Sequence, residues 1–61
     1  MNETSLAESI DFFRKLLRKT EWNLRYAEGM GRVKDAENIR KKIVHYQRAI
    51  EALEKLNEKE A

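Results

Sequence analysis

The residues with recognition chemistry cluster in one stretch, "RKLLRKTEWNLRYAE", which carries Lys15, Arg18, Trp22, Arg25 and Tyr26. Arg18 and Trp22 are four apart, a helical spacing that suits a guanidinium on an indole face, and Trp22 and Tyr26 form an aromatic pair at the same spacing. Three readings follow. Trp, Tyr and Arg are the types enriched at protein-interface hot spots. Rings among cations also suit nucleic acid, where lysines and arginines neutralise phosphates and an aromatic ring stacks on a base. The plainest reading is a local surface cluster with no partner.

Other chemistry finds no constellation of residues. His45 is the single histidine, and the positions three and four away that a second metal ligand would occupy are Lys41, Lys42, Arg48 and Ala49. There is no Cys, and Ser5 and Ser9 lie far along the chain from His45 without an evident base. The carboxylates fall on outward helix positions beside cations. Asp11 with Lys15, Glu21 with Arg25, Glu37 with Lys41 and Glu51 with Lys55 read as surface pairs of about 0.2–0.5 kcal/mol each. The stretch "GMGRVK" has two glycines of a phosphate loop but lacks the third Gly and preceding strand of a dinucleotide fingerprint, and the G-K-S/T of a Walker loop. No catalytic residue, cofactor or metal is expected, and the chain reads as non-enzymatic.

The elements that must position these residues are two helices. Ser5 and Glu8 have the spacing of a capping box, so a helix is expected to start there. Leu6, Ile10, Phe13, Leu17, Thr20, Leu24 and Ala27 then recur at intervals of four and three, the rhythm of a packed seam. Gly29 is expected to take the left-handed conformation that closes the helix. A second seam runs through Ala36, Ile39, Ile43, Tyr46, Ile50, Leu53 and, failing in polarity, Asn57. With Asp35 in its first turns favouring the positive helix end, the expected helices span about 5–28 and 33–58, with 1–4 and 59–61 frayed. A short turn between long helices makes them antiparallel, so the fold expected is an all-α hairpin forming one domain without a linker.

One hairpin does not cover the apolar surface written into these helices. Phe12 and Leu16 fall to one side of the first seam and Ile10 and Leu17 to the other, an arc of about 160°. Ala49 and Leu56 broaden the second. Small chains bury a low fraction of their surface, and without cysteine the remaining routes to stability are tight helix packing and oligomerisation. A homodimeric four-helix bundle is therefore expected, with Phe12, Leu16, Tyr46 and Leu56 at the interface.

The formal charge is +2, too small to argue for nucleic acid by itself, but its distribution is uneven. Arg14, Lys15, Arg18, Lys19 and Arg25 are opposed only by Glu21, and Arg40, Lys41, Lys42 and Arg48 have no acidic residue among positions 38–50. The open end is acidic, with Glu3, Glu8 and Asp11 near Glu51, Glu54, Glu58 and Glu60. This polarity favours stacking two hairpins end for end, or else a nucleic-acid surface using Arg14, Lys19, Lys41 and Lys42 beside the aromatic face.

In outline, a short two-helix hairpin expected to dimerise into a four-helix bundle resembles the Rop family of plasmid copy-number regulators. The likeness is one of architecture across the chain. No motif is shared, so no functional residue carries over, but it implies RNA-loop binding as the alternative function. The first expectation is a small intracellular adaptor or inhibitor that binds another macromolecule, a protein, through its helix faces, with Lys15, Arg18, Trp22, Arg25 and Tyr26 as contacts. An accessory role in a phage or other mobile element is one compatible setting, which no residue specifies. The N-terminus lacks the basic and apolar pattern of a secretory signal, and no stretch approaches the roughly 20 apolar residues of a membrane span. A cytoplasmic location without membrane association is expected.

Overall fold

The computed structural model describes residues 5–60. It is an antiparallel hairpin of two helices, α1 (Leu6–Gly29) and α2 (Val33–Glu60), packed side by side along their length. The molecule measures 44 × 21 × 15 Å, one helix thick and two wide. Expected fraying at 1–4 and 61 lies outside the described residues. Positions 59 and 60, expected to fray, are helical, and Lys59 sits in the last turn, where a cation suits the negative end of the helix dipole.

Ser5 caps α1 as its spacing implies: extended backbone, with Oγ accepting from the Glu8 amide at 3.1 Å. The reciprocal bond from the Ser5 amide to the Glu8 carboxylate is absent among the described residues, so half of the capping box forms. At the other end, Arg32 N–H donates to the Ala27 carbonyl at 2.9 Å and Gly31 N–H to that of Glu28 at 3.1 Å. These are the paired bonds of a Schellman motif, which places the left-handed residue at Gly31, φ +71°. Gly29 was the expected site of that conformation and is instead helical. The reason is that Met30, at φ −89° and ψ 0°, extends the helical geometry past Gly29 to the cap. The Arg32 carbonyl then accepts from the Ala36 amide at 3.0 Å, starting α2 at once.

The seam follows the expected residues. Ile10, Thr20 and Ala27 of α1 and Ala36 and Ile50 of α2 are buried. Leu6, Phe13, Leu17, Leu24, Ile39, Ile43, Tyr46 and Leu53 are half-buried, and Asn57 is exposed. Ala27 and Ala36, adjoining the turn, are the small residues that allow two backbones to converge there. Thr20 is tolerated in an apolar line because its hydroxyl donates to the Leu16 carbonyl at 2.7 Å, leaving no buried side-chain polar atom unpaired among the described residues. Among those residues no large side chain is fully enclosed, since each helix is packed from one direction only. No helix among them is long and apolar enough to cross a membrane.

The two glycines should respond to alanine with opposite signs. A Cβ at Gly29 meets nothing within 4 Å and the backbone is helical, so Gly29→Ala raises unfolding free energy by about 0.5–1 kcal/mol. At Gly31 the space is equally open but the backbone is left-handed, so Gly31→Ala lowers it by about 1–2 kcal/mol. Urea denaturation of both variants at one protein concentration checks the pair.

Candidate interaction faces

The hairpin has two flanks, where α1 and α2 meet the solvent together, and an outer face on each helix. Two ion pairs join the helices across one flank, Arg14–Glu54 and, at 2.8 Å, Arg40–Glu28. Steps of seven from these residues put Ala7 and Glu21 on the same flank of α1 and Gln47 on that of α2. The opposite flank is identified by an open groove of about 410 Å³ lined by Asn23, Tyr26, Asp35, Asn38, Ile39 and Lys42. Steps of seven from Asn23 and Tyr26 reach Leu16, Lys19 and Phe12; from Lys42 and Asn38 they reach Ala49, Leu56, His45 and Ala52. No ion pair joins the helices on this side among the described residues. Its half near the turn is polar, and its half near the open end carries Phe12, Leu16, Ala49 and Leu56 together with Ser9 and, at the end of α2, Lys59.

The apolar arc of α1 is thus covered unevenly. On the paired flank Ile10 is buried and Leu17 half-buried, beneath the Arg14–Glu54 bridge. On the other, Leu16 is half-buried and Phe12 is 62% exposed, its ring edge-on to Phe13 with centroids 5.4 Å apart. Leu56, 49% exposed, lies on the same flank. Of the four residues expected at a dimer interface, these three share a side. Tyr46 is the exception in placement: half-buried in the seam, its ring packs at 6.4 Å against Phe13 within the hairpin.

Trp22 lies on the outer face of α1, directly away from α2, and Tyr26 lies between that face and the groove; both are 63% exposed. The cation on the indole is Arg25, its guanidinium carbon 5.2 Å from the ring centroid, rather than the expected Arg18. Helical side chains lean towards the N-terminus, so a residue three positions later reaches back over Trp22 while one four positions earlier leans away. A contact of this kind contributes about 0.5–1 kcal/mol at an exposed site. It also engages Arg25 elsewhere than on Glu21, and among the described residues that expected ion pair is absent, as is Glu37–Lys41. Asp11–Lys15 forms at 3.0 Å and Glu51–Lys55 at 3.8 Å. Lys15 therefore stands on the Trp22 face already paired.

The cations named for nucleic acid do not converge on one surface. Arg14 is held by Glu54 on the paired flank, and Lys41 projects from the outer face of α2, the side of the molecule opposite Trp22. Lys42 lines the Tyr26 groove, and Lys19 is on the same side of α1. Among the described residues Arg18, Lys19, Lys41 and Lys42 form no ion pair. No group of three His, Cys, Asp or Glu side chains there is arranged to hold a metal ion.

Three further features escaped the sequence reading. Met30 and Val33, 57% and 68% exposed, form an apolar tip at the turn, and Val44 is exposed on the outer face of α2. Asn23 and Asn38 flank Tyr26 in the groove. Only the turn's "GMGRV" carried a signal, two apolar residues beside glycines in a segment too short to bury them. Comparison of the chain with protein-family models, curated proteins and solved structures found no significant match.

The cross-helix pairs admit a direct check. Glu28 and Arg40 are both about half exposed, so solvent screening limits their pair to at most about 1 kcal/mol. Glu28→Arg should lower stability by up to that amount, and the exchange Glu28→Arg with Arg40→Glu should restore it. In about 1 M salt, where screening is strong, denaturation curves of the single variant and the parent should draw together.

Proposed function

We propose that this chain is a small non-enzymatic, intracellular adaptor or inhibitor that binds a protein partner and works as a homodimeric four-helix bundle. The observation that carries the reading is the placement of Trp22 and Tyr26, each 63% exposed on the α1 side remote from the seam. The core is complete without them, and an exposed Trp beside Tyr and Arg is the composition of an interface hot spot. Arg25 holds the indole in one place before any partner arrives, which lowers the ordering cost of binding. Arg18, in no ion pair among the described residues, supplies charge for an acidic partner surface, whereas Lys15 on the Trp22 face would first have to leave Asp11. The homodimer accounts for Phe12, Leu16 and Leu56, apolar residues that one hairpin leaves partly wet on a single side.

A second reading, a regulator of the Rop type that binds RNA or DNA, is favoured by one observation: Tyr26 and Lys42 line the same groove, with Lys19 beside it. A stacking ring between cations suits a single-stranded loop. Arg14 and Lys41 contribute little to it, one being paired and the other facing away.

Affinity capture from host lysate, with and without nuclease, separates the two. The protein reading expects a partner retained after nuclease and lost in the Trp22→Ala/Tyr26→Ala variant, whose helical circular dichroism and denaturation midpoint stay close to the parent's. Undiminished capture by that variant would count against it. Nuclease-sensitive capture, with affinity falling steeply as salt rises, would move the assignment to nucleic acid.

A further inference from the structure

We infer that the segment received by the outer face of α1 is an acidic helix of the partner, with carboxylates over Arg18 and Lys19 and an apolar side chain over Trp22 and Tyr26. The inference rests on the protein reading above and names the chemistry of the partner. Its basis is the arrangement of six residues. Steps of seven place Lys15 in line with Trp22, Arg18 in line with Arg25 and Lys19 in line with Tyr26, and these three lines are neighbours around the outer face. All six residues are exposed. They form a patch about 16 Å long at 1.5 Å per residue, cations towards the open end and rings with Arg25 towards the turn.

The partner's charge follows from what the patch lacks. From Phe12 to Gly29 the three lines hold no carboxylate; Glu8 and Asp11 precede them, and Asp11 is paired with Lys15 at 3.0 Å. The flank beside Arg18 and Arg25 adds Glu28, bound to Arg40, and Glu21, which forms no ion pair among the described residues. On the Tyr26 side α2 brings Lys42 and Asp35, which offset each other. The outer face of α2 differs. Lys34, Lys41, Arg48 and Lys55 form a line there, but Glu37, Glu51 and Glu58 stand in the next, and neither line has a Phe, Tyr or Trp. Of the two outer faces, that of α1 alone sets surplus positive charge beside rings, and complementary charge orients a partner.

The partner's conformation follows from the backbone of α1, which is hydrogen-bonded along its own length and offers side chains rather than a free edge. A segment buried against it must satisfy its amides and carbonyls within itself, as a helix does. A carboxylate can pair with Arg25 where it stands, its guanidinium carbon 5.2 Å from the indole centroid. A base stacking on that face would have to displace Arg25 first. The patch therefore suits an acidic helix better than a nucleic-acid strand.

A random peptide display library selected on the full-length chain tests this. Peptides enriched by the parent should be acidic, carry an aliphatic or aromatic residue three or four positions from a carboxylate, and gain helical circular dichroism on binding. The affinity of a selected peptide should fall about tenfold or more in Arg18→Glu/Lys19→Glu, where like charges then meet. Lys41→Glu/Arg48→Glu, an equal change in net charge on the outer face of α2, should bind as the parent does. If the first variant loses its helical signal, Arg18→Gln/Lys19→Gln carries the same expectation with a smaller loss. Neutral or basic peptides whose binding is lost in Trp22→Ala/Tyr26→Ala would overturn the acidic partner and leave the protein reading standing. Peptides that bind that variant undiminished would overturn both. Equal losses in the two charge-reversed variants would trace binding to net charge and overturn the face, and binding without a helical gain would overturn the helix. No enrichment by the parent would overturn the inference and leave lysate capture to decide the protein reading. A single-stranded oligonucleotide that binds more tightly than every selected peptide, with the same losses, would overturn it in favour of nucleic acid.

Discussion

Two helices joined by a short turn have one line of contact, and every other property of this molecule is arranged around that line. Ile10, Ala27, Ala36 and Ile50 are buried along it with Thr20, but no large side chain among the described residues is enclosed on all sides. Burial is worth roughly 25 cal/mol per Å² of apolar surface removed from water, so half-buried seam residues such as Phe13, Leu17 and Tyr46 deliver part of what a thicker core would obtain from them. Marginal stability follows from geometry before any particular residue is considered. It makes the state of the two flanks matter more than it would in a larger domain.

Those flanks solve the same edge problem differently. Arg14–Glu54 and Arg40–Glu28 span one of them near its two ends, and their partial exposure keeps their energetic value small. Their stronger effect is on register. A slide of either helix by one residue rotates it by about 100° relative to its neighbour, breaking both bridges while also moving the seam out of line. The groove side has no such constraint, and its polarity shifts along its length, amides and Lys42 towards the turn, and Phe12, Leu16, Ala49 and Leu56 with Ser9 and Lys59 towards the open end.

Much of this fold was legible because it is periodic. The seam residues, the Ser5 cap and the helix limits follow from spacings within one helix, which a linear sequence displays directly. What escaped depends on relations that a linear pattern does not encode. Gly29 and Gly31 are equivalent by composition, and only closure of the Arg32-to-Ala27 hydrogen bond decides which one becomes left-handed. Arg18 and Arg25 are both within reach of Trp22, and the lean of helical side chains selects the later one. Arg14 with Glu54 is separated by forty positions, so that pair depends on the register between helices. The candidate faces were legible in the same measure: Trp22 and Tyr26 were recognisably outside the seam, whereas the inequality of the flanks emerges only when both helices are placed together.

The position of Trp22 also determines what light can report about this protein. Its indole rests under Arg25 on the outer surface, with no seam residue across from it. Its emission follows the solvent and whatever settles on that surface, and is nearly blind to separation of the helices. Tyr46, packed against Phe13 between the helices, is the chromophore placed to sense that event. Folding and recognition in this chain thus fall to different rings, Tyr46 between the helices and Trp22 with Tyr26 on the exposed side.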